Sequence, residues 1–83
     1  MKNLVCNYDL HQRNEDESIQ LVIDLLGNYS FDLENEYNEM IDNGKEFTFE
    51  DVFEDLQRVA MENVGHSVDL DNGQLIILDE SKA

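Results

Sequence analysis

The sequence predicts an α+β domain in which three helices pack on a small antiparallel sheet, in the order β-α-α-α-β-β. Three observations carry that expectation. Glycines stand at the ends of three segments with helical apolar spacing, an Asp-Asn-Gly turn separates two short apolar runs, and a continuous Leu-Ile-Ile-Leu stretch lies near the C-terminus. A single acidic globular domain over residues 1–83 follows from the length, because so short a chain buries only about 60 to 65% of its unfolded surface and supports one economical core.

The first element is Asn3-Leu4-Val5-Cys6-Asn7-Tyr8, a strand pattern suited to a sheet edge. Helix one, over 16–26, carries Ile19, Leu21, Val22, Ile23, Leu25 and Leu26 around most of its circumference and is therefore expected to be the most buried helix. Ser18 falls in its first turn. Helix two, over 32–43, sets Leu33, Tyr37, Met40 and Ile41 on one stripe, and helix three, over 49–64, does the same with Phe49, Val52, Phe53, Leu56, Val59, Ala60 and Val64. Thr48-Phe49-Glu50-Asp51 resembles a capping box, with Asp in place of the usual Glu or Gln. Gly27, Gly44 and Gly65 follow the three helices, where a left-handed terminal residue is favoured. Val68 to Leu70 and Leu75 to Leu78 should pair through a type I′ turn at Asp71-Asn72-Gly73. The unbroken apolar run Leu75-Ile76-Ile77-Leu78 suits a strand covered on both faces or flanked by neighbours, so it should be central.

Charge narrows the function. Twenty acids against five bases give a net charge of −15, with 41% hydrophobic residues still sufficient for a packed interior. Such a field repels nucleic acid and anionic membranes and attracts basic surfaces, so direct nucleic-acid or membrane binding is not expected. The lone Cys6 forms no internal disulfide, and the start of the chain is too polar for a secretion signal, which points to the cytoplasm, or a host's cytoplasm for a phage gene.

Site chemistry is thin by comparison. Aligning Gly73 to the glycine of a calcium-binding loop places Val68 and Leu70 at ligand positions, so the hairpin reading wins over a metal site. Cys6, His11 and His66 match no zinc-finger spacing, and Cys6 in an apolar pattern reads as packing rather than as a nucleophile. An acyl-carrier reading fits the size and charge, but Asp16-Glu17-Ser18-Ile19 interposes Glu before the serine and lies at the start of helix one rather than of helix two. No enzyme, cofactor or metal is expected.

The acids themselves are patterned. Between 32 and 55 there are ten acids and one lysine. Asp32, Glu36, Glu39 and Asp42 recur at i+4, i+3 and i+3, forming a stripe opposite the apolar residues of helix two. On helix three, Glu50 with Glu54 and Asp51 with Asp55 are like-charge i,i+4 pairs, each costing about 0.2 to 0.5 kcal/mol. Acids in a first turn favour the helix dipole, which accounts for Asp32, Glu34, Glu50 and Asp51. It leaves Glu39, Asp42, Glu54 and Asp55 unexplained, while Arg58 is positioned to pair with Glu54 and Glu62. Carboxylates at such spacing lie about 5 to 6 Å apart, comparable in coarseness with phosphates at ~3.4 Å of rise per strand.

In DLENEYNEMIDN and TFEDVFED, and in size and charge, the chain resembles the small acidic proteins of phages and mobile elements, among them DNA mimics, anti-restriction factors and anti-CRISPR proteins. That resemblance implies a stoichiometric inhibitor that occupies the basic nucleic-acid site of a host defence complex or nuclease, such as a CRISPR effector. Its expected contacts are Asp32, Glu36, Glu39, Asp42, Glu50, Asp51, Glu54 and Asp55, with Tyr29 and Tyr37 as aromatic hot spots. The alternatives are an antitoxin or immunity protein that neutralises a basic nuclease, and a small acidic adaptor or carrier.

Overall fold

Leu75-Ile76-Ile77-Leu78 lies at the centre of the sheet because strands pair with it on both sides. The computed structural model describes residues 3–80. Its elements are β1 (Asn3–Asp9), α1 (Glu15–Leu26), α2 (Phe31–Asp42), α3 (Phe49–Val64), β2 (His66–Asp71) and β3 (Gln74–Asp79). Both β1 and β2 run antiparallel to β3 in the order β1-β3-β2. The fold is therefore α+β, three helices with a three-stranded antiparallel sheet. Along β3, Leu75 and Ile77 are buried while Ile76 and Leu78 are half-buried, so the run is flanked by strands on both sides, with its deeper burial on one face. Register shifts between Leu4 and Cys6, which sets Val5 in a bulge on the outer strand.

The hairpin turn is the two-residue Asn72-Gly73, with φ of 50° and 80° as a type I′ turn requires. Asn tolerates that region and Gly enters it without cost. A methyl group on Gly73 would also stand 2.6 Å from the His11 imidazole, an exposed ring able to swing aside. Gly73→Ala is accordingly expected to lower the unfolding free energy by about 1 to 2 kcal/mol, chiefly through the left-handed backbone. Urea denaturation checks this, and an unchanged midpoint would contradict the strained turn.

The core is built where the helical stripes meet the inner face of the sheet. Val22, Ile23 and Leu26 of α1, Val52 and Leu56 of α3, and Val68 and Leu75 of the sheet are all essentially inaccessible to water. Helix α1 is the most buried for its length, with five of its 12 residues buried against four of 16 in α3, as its nearly continuous apolar surface predicts, and it packs against both other helices. Two stripe residues depart from expectation: Ile41 and Val64, in the last turns of α2 and α3, are exposed because those turns run past the core.

The helix ends follow their capping residues. Thr48 and Asp51 form the reciprocal capping box of α3, and Gly65 closes that helix at φ 72°. Asn14 and Ser30, both without mention in the expected elements, cap α1 and α2 through Glu17 N and Leu33 N. Gly27 departs from the expected left-handed form, with φ −61°. The chain there continues through short-range bonds from Asn28 N and Tyr29 N to the carbonyls of Leu25 and Leu26, which keep it right-handed. A Cβ at that position would meet the Glu34 carboxylate, the far end of a flexible side chain that would have to move.

Candidate acidic interface

Helix α2 ends in a defined stop that fixes where the next helix starts. Lys45 N donates to Met40 O at 2.8 Å and Gly44 N to Ile41 O at 3.1 Å, with Gly44 at φ 71°. These are the paired bonds of a Schellman motif, in which the glycine turns the chain away from the helix axis. The capping box at Thr48 then begins α3, so the two most acidic segments meet at an elbow formed by residues 43–48.

On α2 the stripe Asp32, Glu36, Glu39 and Asp42 is exposed, and on α3 Glu50, Asp51 and Glu54 are exposed as well. Among the described residues, the ion pairs are His11 with Asp9 and Arg58 with Asp55 and Glu62. No cation among the described residues lies within pairing distance of the four stripe carboxylates, Glu50 or Glu54. Asp51 is different, for one of its oxygens accepts Thr48 N at 3.1 Å and serves the helix start.

Asp55 belongs to the fold rather than to the free acids. It accepts the Tyr37 hydroxyl through Oδ2, while its Oδ1 accepts Arg58 Nη2 at 3.2 Å. Of the four later-turn acids, Asp55 thus acquires a structural reason, and Glu39, Asp42 and Glu54 do not. Arg58 also reaches Glu62 at 3.6 Å, so its ion pairs among the described residues are with Asp55 and Glu62 and not with Glu54. Tyr37 is only 8% exposed, with its ring against Phe47 at a centroid separation of 5.0 Å. Burial first, and then the Asp55 carboxylate, push its hydroxyl well above the ordinary tyrosine range, so it remains a donor. Tyr37, expected both in the apolar stripe of helix two and as an aromatic contact, is buried, ties α2 to α3 from inside and lines the cleft between them.

Tyr29 is half-buried and engages His66, with its hydroxyl 2.8 Å from Nδ1 and the rings edge to face. Burial raises its pKa too. It lies at the junction of α1, α2 and β2 and does not line the clefts beside the acidic helices. His11 is engaged by Asp9 instead, and no group of three His, Cys, Asp or Glu side chains is disposed to hold a metal among the described residues. No described helix is long and apolar enough to cross a membrane.

Two clefts flank the elbow. The larger, about 800 Å³, lies between α1 and the elbow, where Ile19, Ile41 and Phe47 meet Asp16, Lys45 and Asp51. The smaller, about 340 Å³, lies between α2 and α3 and shares Glu46, Phe47 and Asp51 with the first. Half-buried Leu33, Met40 and Phe47 form its apolar part, and Glu36 and Glu46 stand exposed at its margin. Glu46 and Phe47 escaped the sequence reading. An aromatic immediately before the Thr48 cap, with Val52 four residues into the helix, is the pattern of a hydrophobic staple and could have singled out Phe47.

No protein-family model matches the chain, and no match is found among curated proteins or solved structures. The functional reading rests on the chain's own residues.

Proposed function

We propose that the protein is a stoichiometric inhibitor which presents the acidic surface of α2 and α3 to a basic nucleic-acid-binding protein, without cofactor or catalysis. A CRISPR effector complex or another nucleic-acid-directed defence nuclease is the target class, met in the cytoplasm where it works. The observation that carries the reading is the row of exposed carboxylates on α2, Asp32, Glu36, Glu39 and Asp42, which no cation of the described chain neutralises. A helix selected only for solubility gains by interspersing lysines, which form i,i+4 pairs in place of repulsions. Keeping the repulsion is understandable where a partner supplies the positive charge.

Association driven this way is fast and weakens with salt. A pull-down from host lysate is expected to enrich one or more basic nucleic-acid-binding proteins at low salt and to release them at high salt. Mass spectrometry of the eluates reads the result. Capture that persists unchanged at about 1 M salt, where the Debye length is about 3 Å, or recovery of neutral and acidic proteins only, would defeat the proposal.

A further inference from the structure

The smaller cleft contains more than a row of charges requires. A surface that only imitates phosphates needs carboxylates, yet here Leu33, Met40 and Phe47 form a half-buried apolar wall directly beside them. Two of the four acids at this cleft are already engaged, Asp55 by Tyr37 and Arg58 and Asp51 by Thr48 N. Glu36 and Glu46 are left as exposed carboxylates with no ion pair among the described residues.

That combination discriminates between basic side chains. A lysine ammonium is compact and strongly hydrated, and gains little from an aromatic ring exposed at a cleft. An arginine guanidinium is planar and weakly hydrated, stacks on aromatic faces, and forks to carboxylates with two parallel hydrogen bonds. Its methylene stem covers apolar surface while the charged end stays at the rim.

The geometry points to an arginine-binding subsite between α2 and α3, in which a partner's arginine stacks on Phe47, lays its stem on Met40 and Leu33, and pairs with Glu36 and Glu46. This rests on the proposed acidic-surface function and names the partner residue that surface selects.

Titration of the isotopically labelled protein with octa-arginine and octa-lysine peptides, followed by amide NMR shifts at matched ionic strength, tests it. Octa-arginine is expected to bind about three- to fivefold more tightly, with the largest shifts at Glu36, Met40, Glu46 and Phe47. Phe47→Leu keeps the cleft apolar and is expected to abolish the preference while both peptides still bind. Should that variant fail to fold, Glu36→Gln with Glu46→Gln, at exposed positions, is expected to weaken octa-arginine more than Glu39→Gln with Glu54→Gln does. Equal affinities for the two peptides, or shifts spread evenly along α2, would overturn the subsite and leave the acidic-surface reading standing. Failure of both peptides to bind at low salt would overturn both.

Discussion

A variant carrying Asp32→Asn, Glu36→Gln, Glu39→Gln and Glu54→Gln is expected to bind its basic partner about a hundredfold more weakly while folding as well as the parent. All four carboxylates are exposed and none is paired among the described residues, so their removal breaks no contact within the chain. If each contributes about 0.7 kcal/mol across an interface, within the range of exposed ion pairs, the joint loss is about 2.8 kcal/mol, or two orders of magnitude. Stability is subject to two small opposing effects. Relief of i,i+4 repulsion between Asp32 and Glu36, and between Glu50 and Glu54, returns about 0.2 to 0.5 kcal/mol each. Loss of Asp32 from the first turn of α2 removes about 0.3 to 1 kcal/mol of dipole stabilisation. Binding titrations beside thermal melts separate the effects, and retained affinity would remove α2 and α3 from the interface. Asp55 is left out of this set because the structure assigns it to the Tyr37 tie.

Tyr37→Ala is expected to cost about 3 to 5 kcal/mol, as for other buried aromatics, a large share of the stability of a domain this small. Tyr37→Phe isolates the hydroxyl, and about 1 to 3 kcal/mol is expected for leaving the part-buried Asp55 oxygen without its donor. The pair also carries a pH signature. The Tyr37 hydroxyl titrates above its ordinary value of 10.0 in the folded protein, so the folded state holds that proton more tightly than the unfolded state. Its contribution is therefore complete below pH 10 and is lost as pH rises from there toward the folded value, by about 1.4 kcal/mol per pH unit for one proton. Tyr8 and Tyr29 shift in the same direction and add to the wild-type loss. Chemical denaturation between pH 8 and 11 should show a shallower alkaline decline in Tyr37→Phe than in the parent. Parallel declines would mean that the hydroxyl is not held as described.

What the sequence made legible was what depends on near neighbours. The Asn72-Gly73 turn, the Thr48 capping box, the helical spacing of α1 and the flanked position of β3 each follow from residues within one element or one turn. Asp55 was misread for the opposite reason. Its helical position marked it as an unexplained acid, and only the approach of Tyr37, 18 positions earlier, gives it an internal partner. The burial of Tyr37 follows from its place in the apolar stripe of α2, but the same distance hid which group its hydroxyl meets. Gly27 shows a subtler limit, since its position after a helix suggested a left-handed turn while short-range bonds to the Leu25 and Leu26 carbonyls keep the chain right-handed there. Glu46 and Phe47 were passed over as connection, yet an elbow connection faces both helices it joins.

The Schellman stop at Gly44 and the cap at Thr48, braced by Tyr37 on Asp55, settle the angle between α2 and α3 when the chain folds. The conformational entropy of arranging the carboxylates is thus spent during folding and not again at encounter. A partner of the proposed kind would dock onto a ready-made template, so differences in affinity among variants would reside mainly in how fast the complex separates. Folding and recognition would thereby be linked: a bound partner would stabilise the native state roughly in proportion to the logarithm of its concentration above the dissociation constant, and thermal unfolding would release it.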